Sequence, residues 1–230
     1  MSDPQLQQLL ALMKPEISIA QQQQLQDYVD LLQRYNQKLN LVSRRDISRV
    51  WENHIFPSVL VNNFVDFLPG VAVADLGSGG GLPGIPLKII RPDLELVLID
   101  SSRKKTAFLR QVVYQLGISR TEVVQLRLSP RQEVSGLKNR FSVVLARAVT
   151  GFRELWELSR PLLTVDGFLL AWKGQSDLGE LQAGAPPMRI RYQIKRIPEP
   201  FLRLSTKLSQ LCYVQIWPDL FPPAGSKKIE

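Results

Sequence analysis

The segment Val71–Pro86, VAVADLGSGGGLPGIP, constrains the fold more than any other part of the chain. It begins as a short apolar run, which is typical of a buried parallel strand, and Leu82–Ile90 then predicts a helix with Pro83 in its first turn. Between them, five glycines within eight residues predict a turn whose backbone adopts positive φ and approaches a ligand closely. A strand, a glycine turn and a helix N-terminus in this order favour binding of a nucleotide-like ligand.

Two interpretations compete for these glycines. Asp75-x-Gly77-x-Gly79, continued by a third glycine at the same spacing, follows the acid-first pattern of S-adenosylmethionine (SAM) methyltransferases. The dinucleotide fingerprint G-x-G-x-x-G also fits formally from Gly79 to Gly84, but it starts four residues beyond the acid and includes Pro83. We therefore favour SAM as the cofactor. The cofactor-binding residues predicted from this segment are Asp75, Gly77, Ser78 and Gly79.

A second acidic residue supports a nucleoside-type ligand. Leu94–Ile99 is another apolar run, and it ends at Asp100, about 20 residues beyond the glycines. An acid at such a strand end accepts hydrogen bonds from ribose hydroxyls. Asp100 could instead be the N-cap of the next helix, and the two roles are compatible.

Length and composition indicate one α/β domain with an appendage. The chain has 230 residues, of which 44% are hydrophobic and 22% charged, and no apolar run approaches the length of a membrane span. The Gln-rich N-terminus does not resemble a signal peptide, so we expect a cytoplasmic protein without membrane association. Cys212 is the single cysteine, which excludes an internal disulfide, and one His with one Cys gives no reason to expect a metal.

The region 1–70 predicts an N-terminal helical cap. Ser18 and Gln21 have the spacing of a capping box that opens a long helix with a buried apolar stripe. Residues 5–13 suggest a shorter helix before it, and Asp46 is expected to cap another helix that runs towards Pro57. We expect this cap to form one integrated domain with the region 71–230.

The region 71–230 alternates strands and helices. Strands are predicted at Val71–Leu76, Leu94–Asp100, Glu122–Leu126, Phe141–Ala146, Gly167–Trp172, Ile190–Ile197 and Leu211–Trp217, with helices near 83–90, 103–116, 151–163 and 176–182. This pattern predicts a Rossmann-like, doubly wound sheet of seven strands. No obvious helix separates the last two strands, which favours an antiparallel pair at the sheet edge, as in class I SAM methyltransferases.

Basic residues are concentrated beyond the cap. Residues 1–70 carry 6 Lys and Arg against 7 Asp and Glu, whereas residues 71–230 carry 23 against 14, a net charge of +9. A basic surface beside a nucleotide-type site favours a polyanionic substrate, because Lys and Arg that neutralise phosphates release counterions. Solvated charge that only maintains solubility is the alternative.

Short motifs from nearly the whole chain together match the pattern of one protein family. They are YNQKLNLVS, NHIFPS, LGSGGGLPGIPLKIIRPD, IDSSRKKTAFLRQVV, LARAV, WKGQ and a GSKK tail. Together they resemble the RsmG (GidB) family of SAM-dependent methyltransferases, which modify N7 of one guanine in small-subunit (16S) ribosomal RNA. The GLPGIP segment is the most specific part, because ordinary methyltransferase loops do not continue with that pair of prolines.

The resemblance implies a set of cofactor contacts. They are Gly77, Leu82, Asp100, Ser101, Ser102, Leu128, Ser129 and Arg147. The dipeptide Leu128-Ser129 would read the adenine edge, and in this family it often ends in an acid. Because Ser129 replaces that carboxylate, we expect a hydroxyl or a backbone carbonyl to bind the adenine amino group.

The resemblance also implies catalytic and RNA-binding residues. Arg147, in LARAV, and Lys173, in WKGQ, would lie at the active site, and Lys173 would face the bound RNA. Two basic stretches, 101–140 and 189–207, would supply further RNA contacts, and we expect Arg127 and Arg203 among them. The role of the basic C-terminal tail, within 221–230, stays open.

The chemistry of guanine N7 agrees with the residue types present. N7 carries a lone pair and no proton, so it can attack a sulfonium methyl group without a general base. His54 is therefore expected to be structural. The protein would hold the methyl group and N7 in line at ~3 Å and exclude water.

Other functions remain open at this point. They are a small-molecule methyltransferase, a SAM-binding or RNA-binding module without catalysis, and a nucleotide-dependent oxidoreductase. The basic charge favours the expected function, methyl transfer from SAM to N7 of a guanine in 16S ribosomal RNA, either free or within the small subunit. We expect a monomer, since no long exposed apolar stripe is evident.

Overall fold

A computed structural model of the protein describes residues 7, 10–14, 16–130, 134, 136–147, 150–182, 190–199, 201–204 and 206–219. Its strands are β1 (Ala72–Leu76), β2 (Glu95–Asp100), β3 (Thr121–Gln125), β4 (Phe141–Arg147), β5 (Leu163–Gly174), β6 (Ile190–Arg196) and β7 (Leu211–Pro218). Within these ranges the strands form one sheet, in the order β3-β2-β1-β4-β5-β7-β6. The predicted seven-stranded, doubly wound fold is confirmed.

The strand order creates a binding position in the middle of the sheet. β1 to β5 run parallel, and β7 runs antiparallel to both of its neighbours, β5 and β6. The chain proceeds from β1 outward to β2 and β3, and then continues on the other side of β1 with β4. Ligands of open α/β sheets bind where the order reverses in this way, at the carboxyl ends of the strands. Here that point lies between β1 and β4.

Helices cover both faces of the sheet. The α-helices are α1 (Ile19–Leu39), α2 (Phe56–Leu60), α3 (Gly84–Ile90), α4 (Arg103–Gln115), α5 (Phe152–Ser159), α6 (Gly179–Gln182) and α7 (Thr206–Gln210). A π-helical turn, Trp51–Ile55, leads directly into α2. None of the helices in the described ranges combines the length and apolar character needed to span a bilayer.

Alternation along the strands divides the core into two layers. Val143 and Leu145 of β4 join the cluster that includes α1, α2, α3 and α4, whereas Val144 and Ala146 join the cluster around α5. Successive side chains of a strand point to opposite faces of the sheet, so each strand contributes to both layers. The cap helices therefore share one apolar core with the sheet.

The first helix of the cap packs directly on the glycine loop. The predicted capping box is present at Ser18, and Tyr28 and Leu32 are completely buried. The Tyr28 hydroxyl donates to the Gly80 carbonyl at 2.7 Å, and a Cβ on Gly80 would lie 2.9 Å from Leu32 Cδ1. A side chain at this position would force Leu32 or Leu41 to shift, because the cap approaches the loop so closely.

Several local predictions need correction. Asp46 does not cap a helix through its side chain; its carboxylate instead pairs with Lys207 of α7. The helix after the loop begins at Gly84, with Pro83 as its N-cap, and the short helix α7 separates the last two strands. Four residues of the expected helix at 5–13 and the basic tail at 221–230 lie outside the described residues, while Gln7 and Leu10 are helical.

The contact of Gly84 with β1 and β2 predicts a strong effect of a single methyl group. A Cβ at Gly84 would lie 2.6 Å from Asp75 Oδ2 and 2.9 Å from Leu98 Cδ2. We expect Gly84→Ala to lower the free energy of unfolding by about 1–3 kcal/mol, measured by urea denaturation. Gly179→Ala is the matched control, because Gly179 has open space around its Cβ position and helical backbone angles. Equal stability of the two variants would contradict the packing described here.

Candidate active site

The glycine loop bridges the carboxyl ends of β1 and β2. The backbone N–H groups of Gly77 and Ser78 both donate to the Ile99 carbonyl, at 2.9 and 3.0 Å. The buried Ser78 hydroxyl donates to the Asp75 carbonyl at 2.7 Å. Gly77, Gly79 and Gly81 have φ of 70°, 56° and 95°, which L side chains rarely adopt. These bonds fix the loop above the two strands.

The Asp75 side chain binds the backbone at the end of the glycine loop. Its side chain is completely buried, and Oδ2 accepts a hydrogen bond from the Gly84 N–H at 3.0 Å. Oδ1 has no hydrogen-bond partner among the described residues. Burial is the main cause that raises the pKa of Asp75 from its ordinary value of 3.8 to about 7. This carboxylate therefore acts on a ligand through the loop that it holds.

Asp100 lies at the open side of the loop. Its Oδ2 accepts from the Gly79 N–H and its Oδ1 from the Ser102 N–H, both at 2.8 Å. Each carboxylate oxygen has a further lone pair for a ligand hydroxyl. A Cβ at Gly79 would meet only the Gly77 carbonyl oxygen, at 3.7 Å, so the loop is open on this side. The open loop and the carboxylate beside it fit a nucleoside with ribose hydroxyls.

The residues after β3 border the same position. The Leu126 N–H donates to the Asp100 carbonyl at 3.1 Å, which places the segment 126–129 next to the end of β2. Leu128 is half-buried against the core, whereas Arg127 and Ser129 are exposed. Ser101 is exposed as well, and the Ser102 hydroxyl accepts from the Lys105 N–H as the N-cap of α4. The Leu82 side chain, in contrast, packs in the core.

Arg147 joins the sheet to the cap. It is the last residue of β4, and its guanidinium donates to the backbone carbonyls of Asn53 at 2.6 Å and His54 at 3.4 Å. Burial lowers the pKa of Arg147 to about 10, so the side chain stays charged near neutral pH. Two of its five N–H groups hold the cap, and among the described residues the other three form no hydrogen bond, so they can donate to a ligand.

Two adjoining pockets lie at the carboxyl ends of β4 and β5. The first has a volume of about 250 Å³ and is lined by Glu52, Asn53, Pro57, Arg147, Gly174, Lys207, Leu208, Gln210 and Leu211. The second, of about 400 Å³, is lined by Arg147, Thr150, Trp172, Lys173, Gly174, Asp177 and Leu211. Together they form what we term the acceptor pocket. Arg147 lies between this pocket and the glycine loop, at the point where the strand order reverses.

Lys173, near the carboxyl end of β5, contacts the segment that leads into α5. Its side chain is buried, and its ammonium group donates to the Thr150 carbonyl and lies 4.8 Å from the centre of the Phe152 ring. It thus lines the acceptor pocket but is turned towards α5. Arg203 lies on the segment between β6 and β7, far from the glycine loop in sequence. Its exposed side chain pairs with Glu199 at 3.3 Å.

Residues of the cap complete the wall of the acceptor pocket. The sequence did not predict most of their contacts. The Asp46 carboxylate accepts hydrogen bonds from Ser43, Asn53 and Lys207. The pKa of His54 is lowered to about 3, mainly by burial, so this side chain is neutral. No signal in the sequence could pair Asp46 with Lys207, because they are 161 residues apart. Within the described part of the chain, no three His, Cys, Asp or Glu side chains cluster as metal ligands.

Comparisons with known proteins agree on one family. A family model described as GidB, rRNA small subunit methyltransferase G, matches residues 21–199. Ribosomal RNA small subunit methyltransferase G of Moorella thermoacetica is 36% identical over 163 residues, which are 71% of this chain and 68% of the relative. The protein of the same name from Halorhodospira halophila is 41% identical over 162 residues, 69% of this chain and 74% of the relative.

Solved structures with the same fold are more distant in sequence. A predicted O-methyltransferase from Agrobacterium tumefaciens has a TM-score of 0.56 at 20% identity, over 69% of this chain and 79% of that chain. A SAM-dependent methyltransferase from Aquifex aeolicus has a TM-score of 0.53 at 15% identity, over 74% and 91% of the two chains. Both share the class I methyltransferase fold with this protein.

The raised pKa of Asp75 predicts a pH dependence of stability. Between pH 4 and 7 the unfolded chain releases this proton while the folded protein retains it, so stability falls as pH rises, by up to about 4 kcal/mol. We expect Asp75→Asn to flatten the profile of unfolding free energy across this window. The exposed Asp166, changed to Asn, is the control and should leave the profile unchanged. A wild-type profile that matches that of Asp75→Asn would show that Asp75 titrates normally.

Proposed function

Because the chain belongs to the family of small-subunit ribosomal RNA methyltransferases G, we propose that it transfers the methyl group of SAM to N7 of one guanine in 16S ribosomal RNA. One observation carries the proposal. The open side of the glycine loop, at the ends of β1 and β2, and the acceptor pocket, at the ends of β4 and β5, lie on either side of Arg147. A methyl donor and an acceptor base bound at these places would face each other.

The cofactor residues divide by how they act. Asp100 supplies carboxylate oxygens to the ribose hydroxyls beside the Gly79 backbone. Ser101, Ser102 and the pair Leu128-Ser129 border the adenine. The other predicted cofactor residues act mainly through the loop backbone, because their side chains are absent or buried; they are Asp75, Gly77, Ser78 and Leu82.

Transfer to N7 requires orientation rather than a base. SAM supplies an electrophilic methyl group on its sulfonium. Guanine N7 has a free lone pair and loses no proton, which agrees with a site where the nearest imidazole, His54, is buried and neutral. The chain positions N7 through the cap residues and strand ends that line the acceptor pocket.

Two cations, the half-buried Arg147 and the buried Lys173, would lie close to a base that becomes positively charged. The Asn53 and His54 carbonyls accept from Arg147, and the Thr150 carbonyl accepts from Lys173. These carbonyl dipoles offset part of the positive charge of each side chain. They therefore weaken the repulsion between these side chains and the methylated guanine, which is itself a cation. The remaining N–H groups of Arg147 can donate to guanine O6 or to the carboxylate of the methionine moiety.

The acceptor pocket also offers groups for the opposite edge of guanine. N1–H and the N2 amino group are donors, and the Glu52 carboxylate supplies two acceptors in the pocket wall. Glu52 is held in place by Arg49 at 3.6 Å. The pocket is open to solvent at the cap, which suits a guanine in a loop or single strand, because duplex RNA hides N7 in a deep groove.

We further propose that the enzyme acts as a monomer in the cytoplasm, where ribosomal subunits are assembled. Large apolar side chains that are exposed among the described residues are scattered over separate segments: Leu12, Ile19, Leu68, Tyr114, Val165 and Tyr192. Scattered residues of this kind do not form a dimer interface. Light scattering on the purified protein distinguishes monomer from dimer.

Methyl transfer with labelled SAM tests the proposed reaction. Ribosomal RNA and small subunits from cells that lack the gene serve as two separate substrates, and the modified base is then mapped. We expect label on N7 of one guanine in at least one of the two. SAM binding without label on either substrate would refute the proposal.

Arg147 provides the sharpest test within the site. We expect Arg147→Ala to lower kcat/KM for RNA about 100-fold, because the acceptor base loses its orientation. Since Arg147 also holds the cap, Arg147→Lys is needed as a second variant: it keeps the charge but not the paired donors. SAM affinity and unfolding are measured on both. A folded Arg147→Ala enzyme with wild-type kcat/KM would exclude this role.

The position of Ser129 predicts that one substitution there increases the affinity for SAM. It is exposed beside the Asp100 segment, at the position where the family often has an acid. A carboxylate there would accept from the adenine amino group, so we expect Ser129→Asp to tighten SAM binding about tenfold. Ser129→Ala is the matched control and should bind SAM no more tightly than wild type. Calorimetry measures both, and no gain in Ser129→Asp would place the adenine elsewhere.

A further inference from the structure

The cap has a net charge near zero, but its positive charges are concentrated in one segment. Residues 1–70 have 6 Lys and Arg, and five of them fall within 34–49: Arg34, Lys38, Arg44, Arg45 and Arg49. The one acid in this stretch, Asp46, is already paired with Lys207. A region that is slightly acidic overall therefore contains a strongly basic segment, 34–49.

Two of these cations, Lys38 and Arg44, line a groove on the cap surface. The groove has a volume of about 870 Å³ and is lined by Gln33, Asn36, Gln37, Lys38, Asn40, Arg44, Ile47 and Ser48; we call it the cap groove. Arg34 lies one turn before Lys38 on the same side of α1, and Arg45 follows Arg44 in an exposed turn. In the part of the chain that the structure describes, Arg34, Lys38, Arg44 and Arg45 form no ion pair.

The groove and the acceptor pocket are lined by neighbouring residues of the cap. Ile47 and Ser48 line the groove, while Glu52 and Asn53 line the pocket. Four residues of helical backbone separate Ser48 from Glu52, a rise of about 6 Å, which is close to the spacing of neighbouring nucleotides along a strand. The two concave surfaces are thus consecutive along one short segment of the cap.

The chemistry of the groove suits a nucleic-acid backbone. Its lining combines cations with side-chain amides, and such residues bind phosphate and sugar oxygens in protein–nucleic acid interfaces. Amide groups can also pair with the ribose 2′-hydroxyl, which is both a donor and an acceptor. A small acidic ligand would need a more enclosed site with converging cations, and this groove is open and lies along the last two turns of α1.

We propose that the cap groove binds the phosphate backbone of the ribosomal RNA strand next to the target guanine, through Arg34, Lys38, Arg44 and Arg45. The inference rests on the proposed function, because it takes RNA as the substrate. It adds a docking surface on the cap to the basic stretches of the methyltransferase core. The groove guides the strand so that the adjoining nucleotide enters the acceptor pocket.

The test compares two double variants that remove the same charge. Lys38→Gln/Arg44→Gln alters the cap groove. The control, Lys14→Gln/Arg160→Gln, removes two cations that lie outside both basic stretches, with Lys14 beside Asn62 and Arg160 just before β5 begins. The probe is 16S ribosomal RNA from cells that lack the gene, and its Kd is measured between 50 and 300 mM KCl. Methyl transfer and SAM affinity are followed in parallel.

We expect the groove variant to bind RNA more weakly, by about fivefold at 0.1 M salt for each cation removed. The slope of log Kd against log salt should fall by about 0.7 for each lost phosphate contact. SAM affinity should stay within twofold of wild type, and the control variant should keep the wild-type slope.

The possible failures are distinguishable. If the wild-type enzyme transfers no methyl group to 16S ribosomal RNA or to small subunits, the proposed function is wrong. If it does, and the groove variant keeps the wild-type affinity and slope, the docking surface is refuted while the function stands. An equal loss in both double variants would indicate general attraction to net charge and would also refute the docking surface.

Discussion

The close contact between the cap and the glycine loop is the constraint on which the rest of the site depends. Tyr28 and Leu32 of α1 press against Gly80, and Gly84 lies against Asp75 and Leu98. One side of the loop is therefore occupied by protein. Its other side, at Gly79, stays open beside Asp100, so the ligand can approach the backbone from one direction only.

Burial at the seam between cap and sheet also determines the charges near the reaction. It raises the pKa of Asp75 and lowers the pKa values of His54 and Arg147. The result is a neutral imidazole and a cation whose charge is partly balanced by backbone carbonyls. Such a site is poorly suited to abstract a proton. It suits a nucleophile that has none to lose, and guanine N7 is one.

The sequence predicted the sheet well because its signals are local. Apolar runs end at Leu76 and Asp100, glycines mark the turn between strand and helix, and the structure has all seven strands close to their predicted positions. Contacts between distant segments could not be predicted in this way. The pairing of Asp46 with Lys207 and the inward orientation of Lys173 depend on how α7 and α5 pack, and no spacing in the sequence encodes that packing.

The two faces of α1 explain how one helix can serve both the cofactor loop and the substrate. Tyr28 and Leu32 are buried and contact the loop, whereas Arg34 and Lys38 project from the exposed side of the same helix. A change on the exposed face removes charge without altering the packing that shapes the glycine turn. RNA attraction and cofactor binding are thus physically separable on this helix, although Arg147 and the segment 51–55 tie both to the same acceptor pocket.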